Sequence, residues 1–158
     1  MNNQDNKWVL ITGGAKRIGA EVARTLHARG MNLAVHYNSS NQDAESLSNE
    51  LNGIRANSTL IFGANLTSDN AVEGLIPEVL SKTGRLDVLI NNASTFYPTP
   101  IDDITHDDWD SLIGTNLKAP MFLCKHAAKY LRNQRLNCEY GRHSCIQTIE
   151  QTSCLWAC

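Results

Sequence analysis

Trp8-Val9-Leu10-Ile11-Thr12-Gly13-Gly14-Ala15-Lys16-Arg17-Ile18-Gly19 is the stretch on which the fold turns. Its first four residues read as a buried strand. A glycine turn follows, and Ile18, Val22, Ala23 and Leu26 then recur at helical spacing as far as Arg29, where Gly30 is placed to close the helix. Glycines let backbone N–H groups approach a pyrophosphate closely, and the helix N-terminus aims the positive end of its dipole at the same anion. A glycine turn also serves ordinary strand-to-helix connections, so the flanking strand and helix carry much of the inference. Together the three parts imply a phosphate cradle and a bound nucleotide.

The pattern repeats down the chain. Leu33-Ala34-Val35-His36 predicts a second strand. Ser40 or Asn41 then caps a helix carrying Ala44, Leu47 and Leu51, and Ser58-Thr59-Leu60-Ile61-Phe62 predicts a third strand. Ser68 opens a helix with Val72, Leu75, Ile76, Val79 and Leu80 that ends near Gly84, ahead of a buried strand Val88-Leu89-Ile90-Asn91. A long helix is predicted over 107–133, with Trp109, Leu112, Ile113, Leu117, Met121 and Ala128 as an apolar stripe that suits either the sheet or a second subunit. Alternating strands and helices imply a doubly wound parallel α/β sheet, Rossmann-like, ending after the fourth strand and this helix. The expected division is an incomplete dinucleotide-binding domain over 1–135 and a separate tail over 136–158.

Composition narrows the class. The chain has 158 residues, 42% of them hydrophobic and 19% charged, with a formal net charge of -2, as expected of one globular domain with no call on nucleic acid. No apolar run approaches a membrane span, and Met-Asn-Asn-Gln-Asp lacks the order of a secretory signal, so a cytoplasmic protein without membrane partners is expected.

These motifs, taken in order, resemble the short-chain dehydrogenase/reductase family and within it the pteridine reductase branch, over roughly Lys7 to Asn133. Thr12 to Gly19 is similar to the family's glycine loop, with Arg17 where many members have glycine. Asn91-Asn92-Ala93 is similar to its segment after strand four. Ser94-Thr95-Phe96-Tyr97-Pro98-Thr99-Pro100 resembles the pterin-site loop of that branch, and Asn116-Leu117-Lys118 resembles the family's asparagine motif.

The resemblance implies a reductase that binds NADPH and a small pterin-like substrate. Gly13, Ile18 and Gly19 would form the turn against the pyrophosphate. Lys16 and Arg17 are cations at a helix start, where they oppose the dipole unless an anion lies nearby, and a 2′-phosphate would supply one. His36-Tyr37-Asn38-Ser39-Ser40 lacks the acidic residue that would bind a free 2′-hydroxyl, which favours NADPH over NADH, with Ser40 as a hydrogen-bond donor. The branch usually has a basic residue where Ser39 stands, which weakens that side of the pocket. Asn65-Leu66 resembles the adenine-contacting pair, although Asn65 also suits a plain strand terminus. Asn91 and Ala93 would line the ribose and nicotinamide side. Ser94 would line the substrate pocket, Phe96 would stack on a pterin, and Asn116 would hold a water in a proton relay. No metal is implied. A homo-oligomer built on the helix 107–133 is expected.

Hydride transfer also needs a proton donor, which this family takes from Tyr-x-x-x-Lys, the lysine lowering the tyrosine pKa. The sequence contains no such motif: Tyr130 is followed by Asn133 and Gln134, and Tyr140 by Ser144. No fifth strand is predicted after Arg132, so strand four is expected to expose a hydrophobic edge. Four of the five cysteines, Cys138, Cys145, Cys154 and Cys158, crowd into the tail with His143, but their spacing does not suit a zinc site and a reducing compartment does not suit disulfides. Codons permitted for Arg135 to Trp156, read one base later, allow Gly-Leu-Ile-Val-Asn-Met-Val-Asp-Ile-His-Ala-Tyr-Arg-Pro-Leu and, a few residues on, Pro-Val-Tyr. That string resembles the family's missing strand and catalytic tyrosine, so the tail is expected to be disordered or the product of a frameshift near Arg135.

Overall fold

In the computed structural model, which describes residues 7–131, 147–149 and 152–156, the alternation of side chains along the first strand divides the core in two. From β1 (Trp8–Ile11), Leu10 points to one face of the sheet while Val9 and Ile11 point to the other. β2 (Asn32–Tyr37) repeats the division with Ala34 against Leu33 and Val35. All six of these side chains are fully buried, which explains strands that are apolar throughout rather than alternating.

Each face is covered by helices whose apolar stripes were written for it. Helices α1 (Arg17–Ala28) and α2 (Asn41–Ile54) bury Ala20, Ala23, Ala44, Leu47 and Leu51 against Val9, Ile11, Leu33 and Val35. On the other face α3 (Asp69–Thr83) packs Val72, Leu75, Ile76 and Val79 against Leu10, Ala34, Phe62 and Leu89, which come from β1, β2, β3 (Thr59–Gly63) and β4 (Val88–Asn91). Burying one such Leu, Ile or Phe contributes about 1.5–3 kcal/mol, so the paired faces fix which way each helix crosses. β1 pairs in parallel with both β2 and β4, and β2 with β3. Helix ends fall where their stop residues stand: Gly30 has φ +90 just beyond α1, and Gly84 has φ +72 at the end of α3, where its N–H bonds to Leu80 O.

Two expectations are corrected. The helix predicted over 107–133 is interrupted: α4 (His106–Ile113) passes through a π turn, Gly114–Lys118, into α5 (Ala119–Leu131). A residue inserted into the helical repeat turns everything beyond it by about 100°, one residue's share of a 3.6-residue turn. Ala119, Leu123, Cys124, Ala127 and Leu131 therefore face the sheet, while Trp109, Leu117 and Met121 of the predicted stripe are about half exposed. The edge of β4 is also not bare. β6 (Thr152–Trp156) lies parallel to it, with Leu89 opposite Cys154 and Asn91 opposite Trp156, and β5 (Gln147–Ile149) adds an antiparallel strand outside, giving the order β3-β2-β1-β4-β6-β5. An open strand edge offers a row of unpaired N–H and C=O groups, and Thr, Cys, Leu and Trp are residues that fit a strand. The other tail residues, among them Cys138, His143, Cys145 and Cys158, lie outside the described residues.

Candidate cofactor site

The carboxyl ends of β1, β2, β3 and β4 open on one cleft of about 490 Å³. It is lined by Gly13, Lys16, Arg17, Ile18, Gly19, His36, Tyr37, Ser40, Asn65, Leu66, Ala93 and Ser94, which brings together twelve of the residues singled out from the sequence. Doubly wound sheets bind ligands at this position. α1 starts at the cleft with Lys16 as its N-cap, no side-chain cap and no acidic residue in its first turn, so its first N–H groups and dipole are left for an anion. Ser40, the N-cap of α2, likewise makes no side-chain cap bond.

The glycines are needed first by the fold of the loop. Gly13 has φ +60, and a Cβ there would sit 2.9 Å from Ala93 Cα. A Cβ on Gly19 would overlap the Gly13 carbonyl oxygen and lie 2.7 Å from Asn92 Nδ2. The loop thus lies flat on the segment after β4, and its backbone is exposed to whatever occupies the cleft. Arg17 adopts φ +49, the left-handed region, which accounts for glycine as the common residue at this place in the resembled family.

Two residues that the motifs include, but to which the sequence assigns no role, hold this arrangement together. Thr12 Oγ1 accepts the N–H groups of Asn92 and Ala93, both at 3.0 Å, and Asn92 Nδ2 donates to Thr12 O at 3.0 Å and to Gly13 O at 2.9 Å. Asn92 also lines the cleft, whereas Asn91, expected there, is buried and donates from Nδ2 to Cys124 Sγ at 3.3 Å. Ser111 and Thr115 line the cleft as well and carry no sequence signal.

Other expected residues stand in altered roles. His36 lines the floor of the cleft but is only 1% exposed, because it lies beneath the loop. Its Nδ1 accepts the Gly13 N–H at 3.2 Å and its Nε2 lies 2.9 Å from Ala64 O. Burial pushes its pKa below the ordinary histidine value, against a smaller opposing effect of the Ala64 hydrogen bond. Asn65 Oδ1 accepts Thr67 N–H at 3.0 Å and Thr67 Oγ1–H at 2.9 Å, a turn-forming use of its side chain. Lys16 Nζ is 2.9 Å from Asp43 Oδ2 on α2. Asn116 sits in the π turn and spends both ends of its amide on Thr95, accepting its N–H at 2.9 Å and donating to its carbonyl at 2.7 Å. Phe96, two residues beyond Ser94, is 90% exposed and so is no part of the core.

A doubly wound sheet with a glycine loop, an uncapped helix N-terminus and a cleft at its switch point defines a nucleotide-binding α/β protein. The model of the short chain dehydrogenase family matches residues 7–137, and the chain belongs to that family. Pteridine reductase 1 of Leishmania tarentolae is 33% identical over 172 aligned positions, covering 89% of this chain and 60% of that protein. Among solved structures, a short chain dehydrogenase from Burkholderia cenocepacia in complex with NADP superimposes with a TM-score of 0.77 at 31% identity, covering 82% of this chain and 53% of that one. The FolM alternative dihydrofolate reductase 1 from Brucella suis, in complex with NADP, gives 0.74 at 32% identity, covering 80% and 52%. The chain thus spans about half to three-fifths of the length of these relatives.

Proposed function

We propose that this chain is the cofactor-binding part of an NADPH-dependent reductase of the pteridine reductase kind, and that by itself it binds NADPH without turning it over. The cleft over the uncapped α1 N-terminus carries the reading, because it offers backbone N–H groups, Lys16 and Arg17 to phosphates and has no acidic side chain among His36 to Ser40 at the end of β2. Relatives crystallised with NADP support the choice of cofactor. Gly13, Ile18 and Gly19 would hold the pyrophosphate, Arg17, Lys16 and Ser40 the 2′-phosphate, Tyr37, Asn65 and Leu66 the adenosine side, and Asn92 and Ala93 the nicotinamide side. NADPH supplies a hydride when bound.

Ser94 and the exposed Phe96 would meet a pterin-like ring, and the Asn116 bonds to Thr95 set where that loop lies. The sequence provides no Tyr-x-x-x-Lys to deliver the accompanying proton, and a frameshift near Arg135 accounts for its loss. The exposed Trp109, Leu117 and Met121 suit contact with a second subunit. No helix among the described residues is long and apolar enough to cross a membrane, in keeping with a cytoplasmic setting.

Titration of the purified chain with NADPH, followed by cofactor fluorescence, is expected to give saturable binding. Addition of dihydrobiopterin or dihydrofolate is expected to leave NADPH unconsumed. Absence of binding refutes the first half of the reading and measurable turnover the second. Sequencing the coding DNA across Arg135 tests the frameshift, which is excluded by a shifted frame that does not encode the string given above.

A further inference from the structure

Among the described residues, His36 is a buried side chain that ties the glycine loop to the end of β3, on the side away from Asn92. Its Nδ1 accepts the Gly13 N–H, so that nitrogen carries no proton, and its Nε2 must carry one to bond the Ala64 carbonyl, which only accepts. Its own carbonyl accepts the Gly14 N–H at 2.9 Å. Only the neutral ring with the proton on Nε2 satisfies both side-chain contacts. A second proton, on Nδ1, would set N–H against N–H at Gly13, where the loop makes its bend at φ +60.

We propose that His36 is a positioning residue of the nucleotide cradle, whose neutral ring holds Gly13 in its bent conformation and whose protonation releases the loop and weakens pyrophosphate binding. This rests on the cleft being a dinucleotide site. The charged side chains of adjoining segments are Lys16 and Arg17 in the loop and Asp43 on α2, the last already paired with Lys16. β1, β3, the residues from Ala64 to Thr67 and those from Asn91 to Thr95 carry none. No carboxylate is therefore committed to the imidazolium, while burial opposes it. The latch is closed at neutral pH and opens only in acid.

Two independent measurements test this on the full chain. In the first, nitrogen NMR of the free protein reports the His36 tautomer and the Gly13 amide from about pH 8 down to about pH 4, below the ordinary histidine range because burial lowers this pKa. The expected result is an Nε2-protonated ring and a Gly13 amide whose shift and exchange change with the His36 titration; another tautomer or an indifferent Gly13 amide overturns the proposal.

In the second, ADP-ribose affinity is measured over the same range, a probe that keeps the pyrophosphate but has no 2′-phosphate of its own to titrate. Affinity is expected to fall towards tenfold per pH unit below the His36 pKa, the limit for one linked proton. H36N, whose Oδ1 takes the place of Nδ1 as acceptor, is expected to stay within about threefold of the parent at neutral pH and to lose the acid dependence. H36Q, which offers Ala64 a donor but Gly13 no acceptor, is expected to bind at least tenfold more weakly at every pH. An H36N that keeps the acid dependence, or an H36Q equal to the parent, overturns the proposal. A chain that binds no ADP-ribose at any pH refutes the dinucleotide reading instead, and the NMR titration still decides the role of His36.

Discussion

Replacing glycine by alanine at three positions separates the glycine that packing requires from those it does not. A methyl at Gly19 would overlap the Gly13 carbonyl and press on Asn92 Nδ2 at 2.7 Å and Gly14 Cα at 2.9 Å. Two of these neighbours are backbone, and the third is held by its bonds to Thr12 O and Gly13 O, so none yields by a simple rotation. Overpacking typically costs about 1–3 kcal/mol. Dislodging Asn92 adds about 0.5–1.5 kcal/mol for each hydrogen bond lost. Gly19→Ala is thus expected to destabilise the chain by about 2–6 kcal/mol, summing the overpacking and the two Asn92 hydrogen bonds. Gly53 in α2 and Gly74 in α3 have nothing within 4 Å of the added methyl. There the same change removes backbone freedom from the unfolded chain and is expected to stabilise by about 0.4–1 kcal/mol. Urea unfolding followed by circular dichroism, with the midpoints of all four proteins compared, reads the outcome. A Gly19→Ala midpoint equal to the parent's, or one shifted no more than those of Gly53→Ala and Gly74→Ala, refutes the close packing of loop on Asn92.

Asp43→Asn frees Lys16 from its partner. Because that pair is half exposed it is worth about 0.2–1 kcal/mol, so NADPH affinity should rise about 1.5- to 5-fold and NADH affinity should not, as competition binding at low and high salt will show. Asn92→Ala removes the two bonds that stitch β4 to the loop and should lower both stability, by about 1–3 kcal/mol, and nucleotide affinity, measured by urea unfolding and fluorescence titration. The chain should lose stability in mild acid. His27, buried and beside the Arg55 charge, and His36, buried, both have pKa values below that of the unfolded chain. The unfolded state therefore takes up protons first, and stability is full above about pH 6.5 and falls below it until each folded pKa is passed. Thermal unfolding from about pH 8 to pH 5 should show this, and His27→Gln should flatten part of the slope.

The four βα units are legible in the sequence because a buried parallel strand needs apolar residues on both faces and the helices between carry a 3.6-residue stripe. Val9, Leu10 and Ile11 announce their strand without reference to any neighbour. The cleft follows from that topology and from Gly13 and Gly19. What is hidden depends on a shift of one residue. Asn91 and Asn92 are equivalent in composition, yet consecutive side chains at a strand end point to opposite sides, so one is buried by Cys124 and the other reaches the loop. The π turn likewise leaves no compositional mark, but it rotates α5 until a different set of residues meets the sheet. His36 is legible as a residue near the cofactor, while its position under the loop depends on Ala64 and Gly13 arriving from other strands. The tail strand β6 is masked by a polar, cysteine-rich context and takes its order from the edge of β4.

The bonds from Thr12 and Gly13 to Asn92 and Ala93 join groups 79 to 81 residues apart in the chain. Closing a flexible loop of that length costs on the order of 4 kcal/mol in chain entropy, more than the shorter closure that brings β1 to β2. Before it forms, the glycine loop has nothing flat to lie on. A nascent chain therefore acquires its phosphate cradle only when the segment after β4 has been made and has docked. From then on, a ligand that grips the loop also steadies a contact between groups some 80 residues apart, so nucleotide binding and this long-range stitch are thermodynamically linked.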